Sequence, residues 1–147
     1  MSLIPADPPA CPEAVQAIGA ADWVVLGPGS WFTSVLPHLL VPELAGALLS
    51  TGARRLVALN LVPQPGETHG FSPPTHLEVL AGHAPELRID VVLADREAAG
   101  GFAAELEKAA GLLGGRLVLA DLAMRDGSPR HDPRRLAGAL AEIFEGE

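Results

Sequence analysis

The sequence predicts an α/β fold, a doubly wound, mostly parallel sheet of the Rossmann-like kind. Short apolar runs at residues 23–26, 56–59, 89–93 and 117–120 have strand length. The stretches between them carry helical periodicity and helix-ending residues, so strand and helix alternate as in βαβ units with right-handed crossovers. The first run is so apolar that burial on both faces is expected, as in a parallel sheet.

Size and composition fit one domain. The chain has 147 residues, 48% hydrophobic and 19% charged, enough to bury a core. A net charge of −8 argues against nucleic acid as a partner. No apolar run has the length of a membrane span, and no basic-then-apolar leader opens the chain. The single cysteine, Cys11, leaves no internal disulfide, and no Cys/His group has metal-ligand spacing. The expectation is a cytoplasmic protein without membrane or metal. Met1, Ser2 and Leu3 read as a cloning scar, with the domain proper at 4–147.

The elements follow in order. Residues 4–12, with four prolines, should be irregular. A short helix is expected at 13–19, then the strand at 23–26. After the 27–34 loop, Pro37 suits the first turn of a helix capped near Thr33 or Ser34. Pro42 should force Val41 out of helical geometry and restart the helix. Leu44, Ala47 and Leu48 share one face of that piece, and Thr51-Gly52 ends it. The strand at 56–59 ends at Asn60, and a polar loop runs to Gly70. Ser72 should cap, and Pro73 open, a helix with Leu77, Leu80, Ala81 and Ala84 on its apolar side. The strand at 89–93 precedes one helix over 98–113, with Phe102, Leu106, Ala109 and Leu113 inward. Gly114-Gly115 ends it, and the strand at 117–120 follows. Asp132 should cap the last helix, Pro133 open it, and Leu136, Leu140, Ile143 and Phe144 face the core.

In such sheets ligands bind beyond the carboxyl ends of the strands. Three loops fall at that edge: 27–34, 60–70 and 121–135. In the first, Gly27-Pro28-Gly29-Ser30 permits close approach of a phosphate, and Ser30, Thr33 and Ser34 offer hydroxyls. No lysine follows, so this is not a P-loop. The same residues also suit a tight strand-to-helix turn with ordinary capping. In the second loop Asn60 and Gln64 are polar, and Pro65-Gly66 suits a type II turn that presents Glu67, Thr68 and His69. A plain surface turn is the alternative. His76, in the first turn of its helix, is placed to reach the site edge. Arg125, Arg130, Arg134 and Arg135 form either a phosphate clamp or a solvated loop. Asp121, just past its strand, is a candidate ligand-facing carboxylate. No nucleophile–base pair is evident, so no catalytic residue is assigned.

Two long motifs carry a family resemblance. The first is Ala21-Asp22-x-Val24-Val25-Leu26-Gly27-Pro28-Gly29-Ser30-x-x-Thr33-Ser34-Val35-x-Pro37-x-Leu39-Leu40-Val41-Pro42. The second is Asn60-Leu61-x-x-Gln64-Pro65-Gly66-Glu67-Thr68-x-Gly70-Phe71, with His76 just after. Together they resemble the YvcK-like gluconeogenesis factors, relatives of the CofD 2-phospho-L-lactate transferases. His38 stands where the family commonly has Asn, and Val62-Pro63 where it has Met-Thr. The family's N-terminal strand and Gly-rich nucleotide loop have no counterpart, so the resemblance implies the C-terminal part of such a domain, truncated at its N-terminal half.

The resemblance implies a Rossmann-like fold and, in the intact parent, binding of a UDP-sugar or other nucleotide ligand. The ligand would contact Gly27, Pro28, Gly29, Ser30, Thr33 and Ser34, with Asn60, Gln64, Gly66, Glu67, Thr68 and His76 around it. It implies a regulatory role in carbon metabolism and cell shape rather than settled catalysis. The competing enzyme reading is a CofD-like transferase, with Glu67 or Asp121 as base or holding a divalent metal. A third reading is an interaction module whose arginine loop docks an acidic partner. An uncovered sheet edge or helix face predicts a homo-oligomer, or an apolar patch near residues 4–15.

Overall fold

Four apolar runs become the strands β1 (Trp23–Leu26), β2 (Arg54–Ala58), β3 (Val91–Asp95) and β4 (Arg116–Ala120). The computed structural model describes residues 1–62, 66 and 70–146. All strand pairs are parallel, and the strand order follows the chain, β1-β2-β3-β4. Both predicted faces of the sheet are covered by helices, which is the Rossmann-like α/β arrangement.

Period-two alternation sorts the side chains. Leu26, Val57, Leu59, Val92 and Ala94 face one layer, where they meet Trp31, Val35, Leu36, Leu77, Leu80 and Leu106. That layer holds α2 (Pro37–Leu40), α3 (Pro42–Ser50), α4 (Pro73–His83), α5 (Arg96–Ala99) and α6 (Ala103–Leu112). Leu56, Ala58, Val91 and Leu93 face the other way, onto α7 (Pro133–Glu145), where Leu136, Leu140, Ile143 and Phe144 lie inward as predicted. A further helix, α1 (Pro12–Ala20), packs on α3 and buries no residue. No helix among the described residues is long and apolar enough to cross a membrane.

The central strands are buried on both faces, because helices cover each side. The expectation fails for β1. Val25 is 40% exposed, because β1 lies at the sheet edge and α7 covers only Trp23 of that face, through Phe144 at 4.9 Å. Ile4 is also exposed, while Val15 is half-buried.

Several boundaries move. β2 starts two residues before the predicted run and β3 ends two after it, because ladder partners and not hydropathy set strand ends. The single helix predicted over 98–113 is divided. Asp95 starts α5 early, Gly100 at φ +51 ends it, and a short 3-10 turn, Gly100–Phe102, leads into α6. Phe102 is consequently exposed, and Ala110 takes an inward position instead. Ser72 precedes α4 as predicted, but its side chain does not cap. Its hydroxyl pairs with the Thr75 hydroxyl at 2.8 Å.

Candidate functional site

The three loops converge. A cleft of about 270 Å³ is lined by Pro28 and Gly29 from the first loop, Asn60, Leu61 and Val62 from the second, and Pro129, Arg130 and His131 from the third. It lies beyond the carboxyl ends of β1 and β2, where strand geometry places ligands in open α/β sheets. A second cleft of about 300 Å³ shares Leu61, Val62 and Pro129 with the first and extends to Asp95, Glu97 and Ser128. The two form one trough along the strand ends.

The glycine turn is fixed in three ways. Gly27 has φ +79, and a Cβ there would sit 2.7 Å from the Ala58 carbonyl oxygen, so only glycine fits. The Asn60 side chain grips the turn from both sides. Its Oδ1 accepts from the Gly29 N–H at 2.9 Å, and its Nδ2 donates to the Gly29 carbonyl at 2.7 Å. Ser30 then caps the following π-helical turn, Trp31–Val35. The Ser30 Oγ accepts from the Thr33 N–H at 3.2 Å, and the Ser30 carbonyl accepts from the Ser34 N–H at 2.8 Å.

These contacts correct two expectations. The helix that Pro37 opens has Leu36 at its N-cap and no side-chain cap, so neither Thr33 nor Ser34 caps it, because a separate π-helical turn, capped by Ser30, occupies 31–35. Thr33 and Ser34 keep exposed hydroxyls. Asn60, expected to face a ligand, is occupied in holding Gly29, and the Gly29 amide hydrogen is occupied with it. Pro37 and Val41 behave as predicted: Pro37 opens α2, and Val41 is extended at φ −87, ψ 112 before α3.

His76 is not at the rim. It is only 5% exposed, edge-on to Trp31 at 5.2 Å and to Phe71 at 5.4 Å. Phe32 packs on Phe71 in turn. The His76 Nδ1 faces the Ser72 carbonyl at 3.1 Å, which assigns that nitrogen the hydrogen. Burial lowers its pKa, partly offset by the Ser72 and Pro73 backbone. The histidine is therefore part of an aromatic cluster beneath the turn, where burial disfavours its charged form. Gln64, Glu67 and Thr68 lie outside the described residues. Gly66 lies within them, exposed, with φ +77, the value a type II turn requires.

The third loop is organised by a residue that sequence reasoning missed. The buried Asp95 carboxylate accepts four backbone N–H groups. Oδ1 takes Glu97 at 3.0 Å and Ala98 at 2.9 Å, and Oδ2 takes Leu122 at 2.8 Å and Ala123 at 3.1 Å. It thus caps α5 and ties the loop after β4 to the end of β3. Burial by itself would raise its pKa, but the four donors together outweigh that and lower it. The signal was present, since an apolar run ending in Asp before Arg-Glu-Ala-Ala is a helix start.

Asp132 caps α7 as predicted, accepting from Arg134 and Arg135 N–H. Arg125 and Arg135 line one cleft together with Asp121. Arg130 pairs with Asp126 at 3.7 Å and Arg135 with Asp132 at 3.8 Å. Asp121 pairs with Arg96 at 3.5 Å, both largely exposed, so that carboxylate has an intramolecular partner.

His131 is the other residue that the sequence did not single out. It lines the first cleft, and its Nε2 is buried with no hydrogen-bond partner among the described residues. Burial lowers its pKa, against the opposing pull of the Asp95 charge and the Leu59 carbonyl. Nothing in one histidine's spacing announces such a position.

Known proteins with this sequence pattern place the fold in a family. The family model described as 2-phospho-L-lactate transferase CofD matches residues 1–112. A Mycobacterium tuberculosis protein named "Putative gluconeogenesis factor" is 54% identical over 140 residues, covering 94% of this chain and 41% of that protein. A Nostoc protein of the same name is 35% identical over 161 residues, covering 99% of this chain and 35% of its own length. A Bacillus halodurans crystal structure superposes with a TM-score of 0.80 at 30% identity, covering 96% of this chain and 50% of that one. A second structure of that protein, described as a UPF0052 family member, gives 0.78 at 29% identity. The chain spans about two-fifths of the length of the M. tuberculosis relative and half of the B. halodurans one. With two signature motifs meeting at one strand edge, and with these relatives, the chain belongs to the CofD family, among its YvcK-like gluconeogenesis factors.

Proposed function

We propose that the trough is part of a nucleotide-sugar site, and that the intact protein is a UDP-sugar-binding regulator of carbon metabolism and cell shape. The observation that carries this reading is the double hydrogen bond between Asn60 and Gly29. It links the two signature motifs directly and holds a glycine turn rigid at the carboxyl edge of the sheet. A rigid turn with exposed Thr33 and Ser34 hydroxyls suits the phosphates of such a ligand. Arg130 supplies positive charge on the facing wall. The trough is long enough, across both clefts, for a group larger than phosphate alone.

Titration calorimetry with UDP-N-acetylglucosamine tests this, on the chain and in parallel on the full-length M. tuberculosis relative. Saturable heat that disappears in Gly27→Val supports the reading. Absence of heat and of any thermal shift in both proteins rejects it.

The transferase reading is favoured by the family model matched over residues 1–112. There, Asp121 or Glu67 would act as base or hold a divalent metal. Turnover of guanylylated phospholactate with a deazaflavin acceptor would decide for it. The protein is proposed to be cytoplasmic and to self-associate through the β1 edge.

A further inference from the structure

We propose that Asp95 is a positioning residue of the trough: its Oδ2 hangs the hairpin after β4 on the end of β3, and so holds Arg130 where it meets an anionic group of the ligand. This rests on the proposed function, because it names what sets the geometry of that same site. Residues 122–132 pair with one another as a short antiparallel hairpin. The Asp132 N–H donates to the Leu122 carbonyl at 2.7 Å, Ala123 bridges to His131, and the Met124 N–H donates to the Arg130 carbonyl at 2.9 Å. The hairpin is a wall of both clefts. Arg130 and His131 line the first, Ala123, Gly127 and Ser128 the second, and Pro129 both.

Arg130 rides on this hairpin as one unit with its tip. Its guanidinium is 3.7 Å from Asp126 and its Nε 3.5 Å from the Ser128 hydroxyl oxygen, while Ser128 bonds Asp126 through both hydroxyl and N–H. These contacts fix Arg130 to the tip and leave the tip's place to the base. At the base, Asp95 Oδ2 accepts the Leu122 and Ala123 N–H groups at 2.8 and 3.1 Å. Burial of Leu122 and the Leu59 carbonyl facing the His131 ring add to that hold. Asp95 itself borders the second cleft and a neighbouring one lined by Asp121, Arg125 and Arg135. Its two oxygens, however, are already engaged by four N–H groups, which fills the acceptor sites of a carboxylate. It therefore acts on a ligand through the hairpin and not by contact. A charged acceptor makes this tie a strong one, and a wall held before the ligand arrives spares the ordering cost of binding.

Titration calorimetry of this chain with UDP-N-acetylglucosamine as the probe tests the assignment. Asp95→Ser keeps a side-chain oxygen suited to capping α5 and gives up the one that holds the hairpin. Asp95→Asn keeps an oxygen for α5 and turns donor hydrogens toward two donors. Circular dichroism establishes that each variant is folded at the measuring temperature. Affinity should fall about tenfold in both. In an Arg130→Ala background the same substitutions should cost less than about twofold, because the two residues act as one. A merely structural carboxylate would lower the melting temperature without this dependence on Arg130. Linkage supplies a readout in the unaltered chain: the ligand should slow amide exchange at Leu122 and Ala123 by about the factor that the Asp95 variants lose. Full affinity in the folded variants overturns this inference and leaves the nucleotide site standing. An equal loss in the Arg130→Ala background has the same consequence. If neither variant folds, heat of binding without slower exchange at Leu122 and Ala123 overturns it. Absence of heat from the chain overturns it as well, and absence from the full-length M. tuberculosis relative too removes the proposed function with it.

Discussion

Asn60 and Gly29 are thirty-one residues apart and exchange two hydrogen bonds, side chain to backbone, at 2.9 and 2.7 Å. The pair joins the end of β2 to the turn after β1, and it explains why an asparagine follows the second strand. An amide offers a donor and an acceptor together, which neither Asp nor Leu can do.

Asn60→Ala removes both bonds and leaves a part-buried amide and carbonyl at Gly29. It should destabilise the protein by about 1–3 kcal/mol. Asn60→Asp should cost a similar amount, because a carboxylate cannot donate to the Gly29 carbonyl. Urea denaturation measures the loss, and amide exchange at Gly29 should accelerate in both variants. Unchanged exchange at Gly29 would contradict the clamp.

Two glycines should respond oppositely to alanine. In Gly27→Ala the new Cβ meets the Ala58 carbonyl oxygen at 2.7 Å in a positive-φ turn, with an expected loss of at least ~2 kcal/mol. Gly46 lies mid-helix in α3 with nothing within 4 Å of an added Cβ. Gly46→Ala should stabilise by about 0.5–1 kcal/mol. Thermal melts of the two variants give the comparison.

Asp95 should govern acid stability. Its folded pKa is lowered, so the unfolded chain binds the proton more readily. The contribution is complete above the unfolded value of about 3.9 and is lost as pH falls through the folded value. Asp95→Ala should cost on the order of 3 kcal/mol at pH 7, with four N–H groups losing a charged acceptor. The difference from wild type should shrink below about pH 4. Denaturation series at pH 3 and 7 check this.

His76, buried, and His131, half-buried, act in the same direction over a different range. His76 and His131 both have lowered folded pKa values, so each contributes stability above the unfolded value of about 6.5 that is lost as pH falls through the folded one. His76→Phe keeps the aromatic packing and removes one titrating group. It should flatten the stability decline between pH 7 and 5, as followed by urea midpoints.

The exposed β1 edge, with Val25 at 40% exposure, should associate through strand addition. Light scattering is expected to show concentration-dependent dimers, reduced in Val25→Lys. A monodisperse monomer at high concentration would exclude that contact.

Local chemistry determined much of this protein. Apolar runs separated by helical periodicity specified the parallel sheet, since burial on two faces demands continuous apolarity. Pro37, Pro42, Asp132 and Pro133 located their helix starts, because caps and fixed φ act within one turn. The two motifs, at 21–42 and at 60–71 with His76 just after, identified the family, and the α/β winding places their loops at one strand edge. Tertiary structure decided what those polar groups do. Asn60 appeared open to a ligand until Gly29 was seen to occupy it, and His76 appeared near a rim until Trp31 and Phe71 enclosed it. Asp95 could be read as a helix start, but its hold on Leu122 and Ala123, and the place of His131 in the cleft, came only when β3 and the loop after β4 met. A side chain's donors, acceptors and charge are set by its identity, but which of them remain available is set by neighbours distant in the chain.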